Sequence, residues 1–275
     1  MQMYAHKSTI YGQMKTVLGF LTILHILLLA ACSQGTPPNH QNPIERPSSK
    51  EVEEKTIIKK EKRLKKPNTE NVKQFFLEYA ENNPSSTVRL KTRLGDIDIK
   101  LYDDTPIHKG NFLYNINEEL YHQTIFYRVV PDFMIQGGNS DNDQTLEKRE
   151  KEAAYYIPNE CKLEHIHKRG AVSMAMSYDD NPEKKSAQYS YYIVLGTPLN
   201  EGGLDAVEEE YGIEISENSR EIYSSIGGTP HLDGVHTVFG EVIKGLDIVE
   251  AISNEKRDSG DWPINDVVIE CEVLD

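Results

Sequence analysis

Apolar residues alternate with polar ones through Val88, Leu90 and Thr92, pause at Gly95-Asp96, and resume through Ile97, Ile99 and Leu101. This period of two predicts a β-hairpin turning at the Gly-Asp pair. The rhythm just before it is different. Residues 71–80 set Val72, Phe75, Phe76 and Tyr79 on one face of a helix, which Asn83-Pro84 ends. Thr105-Pro106 predicts a capped helix start, with Phe112, Leu113 and Ile116 on the inward face. Apolar strands are expected at residues 124–130, 171–176, 191–195 and 236–242. A further helix follows over 245–253 through Leu246, Val249 and Ile252, and the alternating residues 267–273 close the chain. Many strands with two helices far apart predict a mainly β fold, an antiparallel barrel capped at its ends. No internal repeat is found.

Two stretches depart from that rhythm. Between Gly196 and His231 lie 34 residues in which Leu204, Val207 and Tyr211 share a helical face. Ser216 can cap a second helix ending at Gly227-Gly228, so residues 198–228 read as an inserted helical hairpin. The other stretch is N-terminal. Lys7 and Lys15 precede an apolar run, 17–31, with no acidic residue, which ends Leu29-Ala30-Ala31-Cys32. Its length suits a signal peptide better than a spanning helix. Small residues directly before Cys32 resemble a bacterial lipobox, in which cleavage leaves Cys32 as the lipid-bearing first residue. A plain signal peptide or an uncleaved anchor is the alternative. Met14, directly before Lys15, is a more ordinary start than Met1.

Composition then divides the chain. Residues 33–49 are rich in Pro, Asn, Gln and Ser, and cannot offset the entropy of ordering. With the following charged segment they form a tether, 32–68, that would set the domain roughly 35 Å from its anchor. Lys59 to Lys66 holds six basic residues in eight, either a solvated spacer or a contact for anionic headgroups. Residues 69–85 form the short packing helix, and 86–275 the folded domain. From Ser86 onward 18 Lys and Arg face 36 Asp and Glu. Such a surface repels phosphate backbones, which argues against nucleic acid as a partner. Once Cys32 carries lipid, Cys161 and Cys271 remain, and in an oxidising compartment they could pair or stay free.

The stretch FYRVVPDFMIQGG, Phe126 to Gly138, places Arg128 inside an apolar segment. Either the Arg snorkels from an edge strand or it meets a polar ligand at an apolar pocket formed with Phe133 and Met134. His165 and His167 in EHIH alternate onto one face, but with no further ligand at a suitable spacing they do not read as a metal site.

FYRVVPDFMIQGG, RGAVSMAMS (Arg169 to Ser177), YYIVLG (Tyr191 to Gly196) and HLDGVHTVFGEVIKGLDIVEAI (His231 to Ile252) resemble, in order and spacing, the sequence blocks of cyclophilin-type peptidyl-prolyl isomerases. With its lipobox and insert the chain is similar to cyclophilin lipoproteins of Bacteroidetes-like bacteria. The resemblance implies an eight-stranded antiparallel barrel capped by two helices. It implies isomerisation of X-Pro bonds in unfolded or nascent exported proteins, with no cofactor or metal, from a membrane anchor on the periplasmic side; Ser33, where an Asp often retains lipoproteins at the inner membrane, favours the outer membrane. By the same resemblance Arg128 is the catalytic residue. Phe133, Met134, Tyr192 and Leu232 hold the proline ring, Gln136 binds backbone, His236 forms the rim, and Ala175, Met176, Ser177, Ser190 and His231 complete the groove. Departures are Met176 for the family's Asn, Ser190 for its Gln with Gln188 out of register, Tyr192 for Phe, and His231 for Trp. These leave open a non-catalytic proline-binding chaperone or a scaffold lipoprotein.

Overall fold

The computed structural model describes residues 66–274. The proposed signal peptide, Cys32 and most of the tether lie outside them. Eight strands form the frame: β1 (Thr87–Thr92), β2 (Gly95–Leu101), β3 (Thr124–Val130), β4 (Met134–Asn139), β5 (Ala171–Met174), β6 (Tyr191–Val194), β7 (Val238–Lys244) and β8 (Val267–Val273). They close into an antiparallel barrel in the order β1-β2-β7-β5-β6-β4-β3-β8. The expected hairpin is present, but its turn sits at Arg93-Leu94 and Gly95 opens β2.

Helix α1 (Val72–Asn82) packs on α2 (Pro106–Asn117), and this explains why α2 is buried on nearly every side. Its inner face places Phe112 among Tyr121, Tyr191 and Phe239 in the barrel core. Its outer face meets Phe75 and Phe76 of α1, with Tyr114 edge-on to both rings. Gly110 permits this approach, since a Cβ there would stand 2.5 Å from the Phe76 carbonyl oxygen. Thr105 does not cap α2 with its side chain. The Glu160 carboxylate does so instead, accepting from the Ile107 and His108 amides at 3.0 and 2.8 Å, where it also complements the helix dipole.

Short helix α3 (Asp143–Arg149) follows β4. The insert folds as the hairpin its pattern predicts: α4 (Glu201–Tyr211) is capped by Asn200 and α5 (Glu217–Ser225) by Ser216. It has a small core of its own, Leu204, Ile215 and Tyr223, sealed by Ile166. Helix α6 (Leu246–Ser253) adds Val249 and Ile252 to the barrel core. Both Cys161 and Cys271 are free thiols. Residues 165 and 167 lie outside any strand, and their side chains diverge, His165 to Asp104 and His167 to Asp233.

Candidate active site

A bulge puts Arg128 where it can act. Phe126 pairs with Gly137 and Arg128 with Gln136, so two residues of β3 oppose one step of β4. Phe126 and Val129 point into the barrel, while the intervening Tyr127 and Arg128 are only partly buried. The register continues outward as Arg128, Gln136, Tyr192 and Ser173, one row across β3, β4, β6 and β5. After β3 the chain turns at Pro131-Asp132. Pro presets the first central φ, Asp132 takes the positive one at 59°, and the Phe133 amide donates to the Val130 carbonyl. This turn presents Phe133 beside Met134.

Together these elements enclose a shallow cavity of about 190 Å³ lined by Arg128, Phe133, Met134, Gln136, Ala175, Met176, Tyr178, Tyr192, Leu232 and His236. Nine of these ten residues were expected from the sequence; Tyr178 was not. Leu232 arrives on a short 3₁₀ turn, Pro230–Leu232, and His236 on the loop before β7. Three expected residues stand behind or beside the cavity. Ser190 reaches it through Gln136, His231 stacks on Phe133 with ring centroids 6.0 Å apart, and Ser177 turns away to hold the Asp179 amide. Gln188 also points elsewhere, to the Tyr189 hydroxyl.

The polar groups are held in defined orientations. The Gln136 amide nitrogen donates to the Tyr127 hydroxyl and to Ser190 Oγ, 3.0 Å away. Its carbonyl oxygen is thereby left as the acceptor for a peptide N–H. The close approach that allows this depends on Gly138, with φ of 102° and the Tyr189 carbonyl oxygen 2.1 Å from where a Cβ would sit. His236 Nδ1 donates to the Met174 carbonyl at 3.2 Å, so Nε2 accepts from the Tyr178 hydroxyl at 2.8 Å. Burial lowers the pKa of His236 to about 4 against the opposing bond to Met174, keeping the ring neutral. At the rim the Ala175 amide is already committed to the Ser190 carbonyl.

Arg128 has a carboxylate neighbour, Asp261, with Nε to Oδ2 at 3.6 Å and both side chains a third or more exposed. Asp261 is shared with Arg257 at 3.3 Å, and its backbone carbonyl accepts from the Val129 amide. The Arg128 contact is longer than a hydrogen bond, and exposed pairs of this kind are worth about 0–1 kcal/mol. A peptide can therefore take the guanidinium.

Beneath the cavity lies a buried network that the sequence did not reveal. The Tyr192 hydroxyl meets His167 Nε2 at 3.0 Å, and Ser173 Oγ lies 3.2 Å from the same nitrogen. His167 Nδ1 pairs with Asp233 Oδ1 at 2.8 Å, and the Tyr223 hydroxyl of α5 donates to Asp233 Oδ2 at 2.6 Å. This explains how a Tyr stands at the pocket floor: its hydroxyl is buried but satisfied, and burial pushes its pKa far upward. His167 sits in a motif that reads as structural, and only the return of the insert brings Tyr223 and Asp233 to it. Among the described residues no cluster of three His, Cys, Asp or Glu side chains is suited to a metal ion.

The family model for cyclophilin type peptidyl-prolyl cis-trans isomerases matches residues 87–273. A peptidyl-prolyl cis-trans isomerase of Acinetobacter baylyi is 32% identical over 171 residues, 62% of this chain and 73% of its own. A relative from Staphylococcus haemolyticus is 34% identical over 186 residues, 66% of this chain and 88% of its own. A crystal structure of a Cryptosporidium parvum cyclophilin type isomerase aligns with a TM-score of 0.49 at 21% identity, over 70% of this chain and 98% of that one. Through the family match across the whole barrel, this chain belongs to the cyclophilin-type peptidyl-prolyl cis-trans isomerases.

Proposed function

We propose that this isomerase is a lipid-anchored folding factor, tethered through Cys32, that turns X-Pro bonds in unfolded exported proteins. The observation that carries the catalytic part is Arg128 at the lip of an apolar cavity floored by Tyr192 and walled by Phe133, Met134 and Leu232. Rotation about a prolyl bond meets a barrier of about 18–20 kcal/mol because resonance stiffens C–N. A catalyst needs only to stabilise the twisted amide better than the planar one. The Arg128 guanidinium donates to the prolyl nitrogen, whose lone pair becomes available as conjugation breaks. Gln136 accepts from the peptide backbone, and the pocket anchors the ring while the bond turns. Burying three ring methylenes contributes about 2.4 kcal/mol, so binding is weak and tolerant of sequence. Such tolerance suits varied unfolded clients. The anchor is supported by Lys15, the apolar run 17–31 and the small residues before Cys32; the chemically tolerant tether 33–49 supports reach from a surface.

The test expresses the full chain in a bacterium that processes lipoproteins and measures isomerisation of proline peptides by the membrane fraction. Arg128→Ala is expected to remain on the membranes and to lose about 100–1000-fold in kcat/KM, the cost of removing one preorganised donor. Near-normal turnover by that variant overturns the mechanism.

A further inference from the structure

We propose that the insert adds a second subsite to the groove, an aromatic ledge centred on Tyr211 that receives a cationic side chain, Arg or Lys, from the same peptide whose proline fills the cavity. This rests on the isomerase reading of the cavity.

Three rings lead out of the pocket. Phe133, which lines the cavity, is stacked with His231 at 6.0 Å and 18°. His231 is stacked with Tyr211 at 4.9 Å and 29°. Tyr211 is the last residue of α4, and 49% of it is exposed. The insert therefore extends the wall of the substrate groove. A peptide with its proline against Phe133 carries its flanking residues past His231 and Tyr211 on one side.

Charge selects the occupant. Residues 198–228 hold eight acidic residues and one basic residue, Arg220. Arg220 is spent on Glu201, Asp205 and Glu208. Glu209 and Glu210, next to Tyr211 in sequence, are exposed and have no ion pair among the described residues. Burial keeps His231 toward its neutral form, and Glu210 is close enough to act on it electrostatically. A guanidinium or ammonium laid on the Tyr211 face thus meets the negative face of a ring together with carboxylates that have no ion pair among the described residues. An acidic side chain is repelled there.

The experiment uses the detergent-solubilised full chain and hexapeptides with a common Ala-Pro core, in which Arg, Ala, Phe or Glu occupies each flanking position in turn. Isomerisation is followed by NMR exchange. At one flanking position the Arg peptide is expected to exceed the Ala peptide roughly two- to fivefold in kcat/KM, with Glu below Ala. Tyr211→Ala should bring the Arg/Ala ratio to about one, and Tyr211→Phe should keep it. Because the ratio is internal to each variant, a change in folded fraction does not affect it. Turnover with an Arg/Ala ratio near one at every position, or a ratio that Tyr211→Ala leaves unchanged, overturns the ledge. A Phe peptide turned over faster than the Arg peptide overturns its assignment to a cation. Absence of turnover with every peptide strikes the isomerase reading itself.

Discussion

Arg128 looks out of place in a run of apolar residues until the bulge is considered. A regular β3 would alternate Phe126, Arg128 and Val130 on one face, sending the guanidinium into the barrel. The extra residue at Tyr127 reverses the parity, keeping Phe126 and Val129 inside and Arg128 outside. A bulge of this kind leaves no mark in an apolar pattern, which is why the sequence left two readings of Arg128 open. His236 makes a different point. The residue is 7% exposed and its ring is fixed by Met174 and Tyr178, and its pKa falls from an ordinary 6.5 to about 4. The unfolded chain therefore binds the extra proton between pH 6.5 and pH 4, and the stability tied to the neutral ring is complete above 6.5 and lost as pH falls through that window. The shift corresponds to about 3 kcal/mol. Urea unfolding at a series of pH values should show this slope in the wild type and a shallower one in His236→Gln; equal slopes would remove the claim.

The hairpin β1-β2 and helix α4 were readable because each keeps its period, and α5 through its Ser216 cap and the Gly227-Gly228 pair that ends it. Strand β4 was not, since Gly137 and Gly138 leave only Met134 and Ile135 to mark an apolar face. Helix α3 was not, because its seven residues bury only Thr145. The pocket residues that line one short turn or strand were legible through their block spacing, whereas the network under Tyr192 joins residues 167, 173, 223 and 233, too far apart for any local pattern. That network makes α5 part of the support for the site. Tyr223→Phe removes one donor from Asp233, which is partly open to water and can recover some of the loss. Its unfolding free energy should drop by about 1 kcal/mol in urea denaturation, with a few-fold fall in kcat/KM. No change in either would mean that α5 merely covers the barrel.

At the scale of the whole chain, barrel closure depends on strand neighbours that are distant in sequence, such as β2 with β7 and β8 with both β1 and β3. Local pattern predicts a barrel and the family resemblance its eight strands, while the order of neighbours is set only by the closed fold. The acidic domain, 18 basic against 36 acidic residues from Ser86 onward, has little attraction for an anionic membrane surface. In the proposed lipid-anchored arrangement, attachment rests on Cys32, with the Lys59 to Lys66 run as a secondary contact. Cys32→Ala should move the protein from membranes to the soluble fraction while leaving its peptide isomerase rate unchanged; persistent membrane association after high-salt washing would refute lipid attachment.

Ring closure has one more effect. Every barrel strand has a neighbour on both sides, so the sheet presents no row of unpaired amides along an open margin. An extended peptide lying in the groove thus finds no template for annealing to the barrel.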